Sequence, residues 1–319
     1  MNKIDIVYSW CDGNDPNFIK EKQNTLKKHN ITLDPVQEKR RYQQNDELKY
    51  SLRSVEKYAP WVNHIYIITN KQRPAWLKDN NKVTIIDHSQ IIPPKYRPTF
   101  NSVCIEYYII NIPGLEDNFL YLNDDVFFNR PVKPEDFFIN KKPIVRLNTK
   151  VFKTLFYQTV SVTNKTILNS YYKMTAKNKI YFPFIVPVHG VDSYSIKLIK
   201  EINKKYPEIK ELNSTPFRTE THMQRVIYAY EMAYINNCKL IIYDYSSSKI
   251  SKLFDIILFR TRKKYFCMEH QDSVDNIKWS ILKIRLYRPL CFCFNDITDD
   301  TVMKKFLNQK FKKKSSFEL

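Results

Sequence analysis

Three glycines, Gly13, Gly114 and Gly190, are all that the 319 residues contain. That scarcity excludes the GxGxxG turn of dinucleotide-binding folds and the glycine-rich Walker A loop. Any phosphate held by this chain must be held by side chains, a metal ion or helix N-termini. The six cysteines, at 11, 104, 238, 267, 291 and 293, include no CxxC pair, and Cys291 and Cys293 sit too close for an ordinary zinc knuckle. They read as reduced, mostly buried thiols of a cytoplasmic protein. No apolar run is long enough to cross a bilayer, and the opening MNKIDIVYSW enters a strand pattern with no signal-peptide core. Acids are in the minority, 33 against 52 Lys and Arg, for a net charge of +19. That excess favours anionic partners, or else it is a Lys-rich solvated surface, because lysine is spread along the whole chain.

What is abundant is material for a core. Hydrophobic residues make up 43% and aromatics 14% of the chain, which excludes general disorder. Runs rich in β-branched and aromatic residues predict strands at 3–9, 64–70, 82–87, 119–122 and 239–245. Apolar residues at helical spacing predict helices at 46–58, 101–111, 192–205, 220–236 and 301–314. Strands alternating with helices predict an α/β fold with a mostly parallel sheet flanked by helices. The expected organisation is the N-terminal part of a catalytic core over 1–130, an insertion or lid over 131–186, the C-terminal part of the core over 187–300, and a basic tail over 301–319. The tail carries Val302, Phe306 and Phe311 among Lys304, Lys305, Lys310, Lys312, Lys313 and Lys314. It reads either as a device for peripheral contact with the inner face of the cell membrane or as a solvated, frayed end.

In open parallel sheets, ligands bind beyond the carboxyl ends of the strands. Here those ends are polar while the strands are apolar. The first ends in Trp10, Cys11, Asp12, Gly13, Asn14 and Asp15, the second in Thr69 and Asn70, the third in Asp87 and His88, and the fourth in Asn123, Asp124 and Asp125. In FLYLNDDVFF two adjacent carboxylates lie between apolar runs, which is costly unless their charge is compensated. A divalent cation bridging a diphosphate would compensate them; a turn carrying solvated acids is the other reading. Arg53, mid-helix, is either a surface ion-pair partner of Glu56 or Glu47 or a phosphate clamp. His189, next to Gly190 and ahead of a helix, is either a structural hydrogen-bonder or part of an anion pocket. Arg218 also precedes a helix, and Asn295–Asp296 repeats the apolar-then-ND pattern, with an Asx turn as the simpler account. A nucleic-acid binder is disfavoured, because the aromatics fall on strands and core faces and acids occupy the rim.

Four blocks, in order, resemble the Stealth family of sugar-phosphate transferases: IDIVYSWCDGNDP (4–16), the long stretch from NDELKYSLRS to YLNDDVFF (45–128), PVHGVDSYS through TPFRTETHMQRVIYAY (187–230), and the short CFCFNDI (291–297). The resemblance covers about two thirds of the chain. Two departures are His222, where an acid usually precedes MQ, and Cys11, where an aliphatic residue usually follows the tryptophan. The resemblance implies a Rossmann-like (GT-A-like) core that binds a UDP-sugar donor with Mg²⁺ or Mn²⁺. It implies transfer of a sugar-1-phosphate to a hydroxyl of a growing polysaccharide or glycolipid, with release of UMP. Its catalytic aspartate, histidine and arginine fall on Asp125, His189 and Arg218. Trp10, Asp12, Asp15, Arg53, Asn70 and Asn123 fall on the nucleotide-sugar side, and Asp124, Asp125 and Asp296 on the metal. The competing expectation is a metal-dependent glycosyltransferase that releases UDP.

Overall fold

A computed structural model describes residues 3–33, 42–148, 162–181, 186–219, 222, 224–243, 265–269, 273–295 and 300–319. Four parallel strands, β1 (Asp5–Ser9), β2 (Ile65–Thr69), β3 (Val83–Asp87) and β4 (Asn118–Asn123), lie in the order β3-β2-β1-β4, in register from Ile6 against Ile65 and Leu120. Residues alternate between the two faces of a strand, and here both faces are covered. Ile6, Tyr8, Ile67 and Leu120 pack under Leu48, Leu52 and Val55 of helix α2 (Glu47–Tyr58). Val7, Ile68, Phe119 and Tyr121 pack on the other side, with Cys104 and Tyr108 of α4 (Ser102–Tyr108) and Ile199 and Ile202 of α6 (Ile196–Lys205). The α/β fold expected from the alternating pattern is therefore present.

The local differences have local causes. Helix α1 (Pro16–Lys28) is absent from the periodicity because it is mostly polar, burying only Phe18 and Thr25; its signal is Asp15 as cap followed by Pro16. Residues 192–195 are not the start of a helix. They form strand β9 (Asp192–Ser195), antiparallel to β4, and Ser195 caps α6 one turn later. Asp87 and His88 do not open onto the rim as free groups. Asp87 forms a capping box with Gln90 on the one-turn helix α3 (His88–Ile91), and burial pushes the His88 imidazole down to about 4.

Beyond the main sheet, β5 (Val126–Phe128) pairs with the later β12 (Cys291–Asn295), which in turn pairs with β11 (Tyr265–Glu269). A further sheet joins β6 (Phe138–Ile139), β7 (Lys142–Asn148), β8 (Val186–Pro187) and β10 (Lys239–Tyr243). Helices α5 (Val162–Asn178), α7 (Ile209–Asn213) and α8 (Gln224–Tyr230) complete that side of the molecule. At the other end, α9 (Val274–Tyr287) and α10 (Asp300–Lys310) bury Ile277, Ile281, Ile284, Met303, Phe306 and Leu307 against Phe127 and Phe292. The apolar face of the basic tail is thus spent on the core.

Lys310 closes α10 beneath Tyr58, Phe292 and Phe311, and its ammonium donates to the Asn129 carbonyl. Burial, then the charges of Lys57, Arg288 and Arg285, pull its pKa down to about 8. The unfolded chain holds that proton up to about 10.4. The folded state therefore carries the full penalty at neutral pH, and loses it as pH rises from about 8 to above 10. Lys310→Met should raise the melting temperature at pH 7, and the gain should fade above about pH 10. A variant less stable than wild type at pH 7 would contradict the assignment.

Candidate active site

The strand order reverses between β1 and β4, and such a reversal opens a crevice at the carboxyl ends of the two strands. Trp10 follows β1, and Asp124 and Asp125 follow β4, so the topology alone delivers these residues to one place. Two connections fix them there. The Trp10 indole donates to Gln44 Oε1 (2.8 Å), and Gln44 Nε2 donates to Asp124 Oδ2 (3.1 Å). The segment bearing Gln44 is seated by Gly13: its amide donates to the Tyr42 carbonyl, and a β-carbon there would lie 2.2 Å from that oxygen. Only glycine permits that approach.

Glu47, in the first turn of α2, is buried beside the same acids. Its helix approaches closely because Ser51 and Ser54 are small; Ser51 Oγ donates to the Val126 carbonyl, and Ser54 Oγ accepts from the Phe128 amide. Burial and then the charge of Asp124 raise Glu47 to about 7. Burial, the charge of Asp124 and that of Glu47 raise Asp125 to about 8, against a hydrogen bond from the Cys293 thiol that lowers it. Asp124 is raised by burial, partly offset by Gln44. Holding three carboxyl groups this close makes full ionisation costly, a cost that a cation would relieve.

His189 enters from the connection between β8 and β9. Arg225 holds that connection: its Nε pairs with Asp192 Oδ2 (3.1 Å) and its Nη2 donates to the Val188 carbonyl (2.9 Å). Burial, then the positive charges of Arg225 and Arg218, push the His189 imidazole down to about 3, so it is neutral at physiological pH. A carboxylate oxygen of Asp125, a ring nitrogen of His189 and the sulfur of Cys293 all lie within 4.8 Å of one another. Asp125 Oδ1 and His189 Nε2 are buried, with no hydrogen-bond partner among the described residues. Buried polar atoms left unpaired cost about 1–3 kcal/mol each. Unpartnered polar atoms on two side chains so close together suit a cation, a proton donor or a substrate oxygen.

The remaining expected residues have definite places. Asp12, Asp15 and Asn70 form a connected rim. Gln72 exchanges hydrogen bonds with the Asp12 backbone and donates to Asp15 Oδ2 (3.2 Å), Asp15 caps α1, and Asn70 donates to Glu21 (2.5 Å). Asn123 pairs in register with Ser9 at the end of β4. Arg218 donates to Ser102 Oγ (2.6 Å) at the start of α4, and its charge reaches His189. Arg53 does not act as a phosphate clamp here. Its guanidinium grips both oxygens of Glu318 (2.7 and 2.5 Å) and the Phe311 carbonyl, on the side of α2 turned to the chain's end. His222 is structural: its Nε2 accepts from the Thr219 amide, which places the ring proton on Nδ1, and it lies by Asn101 and Thr215. Asp296 lies outside the described residues. Gln44, Glu47, Arg225 and Cys293 were not expected from the sequence. Glu47 had the clearest signal, an acid leading an otherwise apolar helix face.

Residues 2–30 match Stealth protein CR1, conserved region 1, and residues 41–145 match Stealth protein CR2, conserved region 2. The chain belongs to the Stealth family. It is 31% identical over 291 residues to the exopolysaccharide phosphotransferase SCO6023 of Streptomyces coelicolor, covering 83% of this chain and 47% of that protein. It is 46% identical over 142 residues to the capsular polysaccharide phosphotransferase CpsJ of Streptococcus thermophilus, covering 44% of this chain and 59% of that one. With LcbA of Neisseria meningitidis, another capsular polysaccharide phosphotransferase, it shares 45% over 138 residues, 43% of this chain and 38% of that protein. The chain thus spans about half the length of these relatives. The glycosyltransferase GlyE of Streptococcus pneumoniae superposes with a TM-score of 0.41 at 12% identity, over 98% of this chain and 64% of that one, a likeness too distant to bear on function.

Proposed function

We propose that the protein is a polysaccharide phosphotransferase that moves a sugar-1-phosphate from a UDP-sugar to a sugar hydroxyl and releases UMP. The observation that carries this reading is the cluster of Asp125, His189 and Cys293, whose ligand atoms lie within 4.8 Å of one another although the residues are far apart in sequence, with Asp125 Oδ1 and His189 Nε2 buried and unpartnered. The names of the relatives support the same class of reaction. The acceptor oxygen forms a bond to the sugar-proximal phosphorus while the bond from that phosphorus to the bridging oxygen breaks, and UMP leaves with the electron pair. The hydroxyl proton passes to the neutral His189 imidazole as the new bond forms. Arg218, whose charge reaches His189, supplies positive charge to the site.

Asp125 and Asp124, backed by Glu47, would hold a divalent cation that neutralises the diphosphate. Carboxylate oxygens suit Mg²⁺ or Mn²⁺. The test is to incubate the protein with UDP-sugars, a glycan acceptor and either ion, and to identify the nucleotide released. UMP with a phosphodiester resonance in the product is expected, and chelation should stop the reaction. UDP with no phosphodiester would instead establish a glycosyltransferase.

A further inference from the structure

Helix α9 is apolar on two opposite sides. Ile277, Ile281 and Ile284 face the core, while Trp279, Leu282 and Leu286 stand on the outer face, 62%, 42% and 64% exposed. These three recur at helical spacing, so they form a continuous stripe. Isolated exposed apolar residues are ordinary, but an aromatic and two leucines aligned along one helix are not. Exposed Lys278, Lys283 and Arg285 flank the stripe, and the one acid of the helix, Asp275, is paired with Lys278 (3.3 Å). Arg285 reaches across to Gln309 of α10. There Thr301, Lys304, Lys305, Asn308, Gln309 and Lys312 line an open depression on the surface. An apolar stripe thus adjoins a cationic trough on the same two-helix unit.

We infer that this face docks the protein on an anionic lipid bilayer, with Trp279, Leu282 and Leu286 entering the headgroup boundary and the lysines meeting lipid phosphates. Charge decides between the available occupants. A second copy placed symmetrically on this face would bring lysines against lysines, whereas an anionic surface complements them. The stripe is also short and convex, which suits shallow insertion rather than a helix-binding groove. The contact differs from the one expected of the tail alone, because the apolar side chains of α10 are already buried. It is independent of the reaction catalysed and is measured without turnover.

Sedimentation of the intact protein with phosphatidylcholine–phosphatidylglycerol vesicles, and with pure phosphatidylcholine vesicles, tests the idea. Binding to the anionic vesicles alone is expected. Trp279→Ser/Leu282→Ser/Leu286→Ser should lower it by roughly tenfold, and Lys305→Glu/Lys312→Glu by a similar factor that disappears at high salt. Trp279 is the one exposed tryptophan of four, so a blue shift of emission on vesicle binding should vanish in Trp279→Phe. Both multiple variants alter exposed positions, and unchanged circular dichroism identifies them as folded. Failure of the wild type to pellet, or pelleting of either variant equal to that of the wild type, overturns the proposal. So does a dimer in light scattering that the apolar variant dissolves, since the face would then belong to a second copy.

Discussion

Asp125→Asn is expected to reduce phosphotransfer by roughly a thousandfold or more while leaving the protein folded. The amide keeps the shape of the side chain but removes the negative charge that would hold a cation or orient His189. Stability should move the other way. Burial and the charge of Asp124 lift the folded pKa of Asp125 to about 8, against about 3.9 in the unfolded chain. A raised folded pKa means that the proton stabilises the fold at low pH, and that this contribution is lost as pH climbs through about 8. In metal-free protein, Asp125→Asn should therefore melt near the wild type below about pH 4 and increasingly above it toward about pH 9. Assays of transfer together with melting curves at both pH values check the two halves. Full activity in the variant would remove Asp125 from the reaction.

Arg53→Ala should be strongly destabilising, at about 3 kcal/mol. The Arg53 and Glu318 side chains are only 10% and 3% exposed. Removing the guanidinium strands a buried carboxylate whose remaining partners are the Ser315 amide and hydroxyl. The loss should spread, because the same closing segment is tied to Trp76 and Lys78 by backbone hydrogen bonds and to Glu56 by Ser316. Arg53→Met paired with Glu318→Met should recover much of the deficit, since a buried ion pair is replaced more cheaply than it is broken. Urea titrations of the three variants measure this. A shift under about 0.5 kcal/mol for Arg53→Ala would show the pair to be solvated.

The comparison of sequence with structure divides along sequence distance. The four parallel strands and the acids at their ends were legible because each is a local statement: an apolar run, then polar residues, repeated. Asp124 and Asp125 needed only β4 to end where its apolar run ends. Cys293 was not legible as a site residue, because it arrives through the antiparallel pairing of β12 with β5, and nothing near it in sequence specifies that partner. Arg225 was hidden for a similar reason: its role is to brace the 188–192 connection, a contact between separate segments. Arg53 misled because a helix pattern shows which residues lie outside the apolar stripe but not which neighbour they meet. Here the neighbour is Glu318, 265 residues away.

The Gly13–Tyr42 contact constrains more than a turn. Because no side chain fits between them, the segment carrying Gln44 is held at a fixed distance from the loop after β1, and Gln44 is what joins Trp10 to Asp124. A lineage that exchanged this glycine for any other residue would have to rebuild that loop before it could keep the acid in place. In a chain otherwise almost devoid of glycine, the bare backbone at position 13 thus helps to place an aspartate more than a hundred residues away.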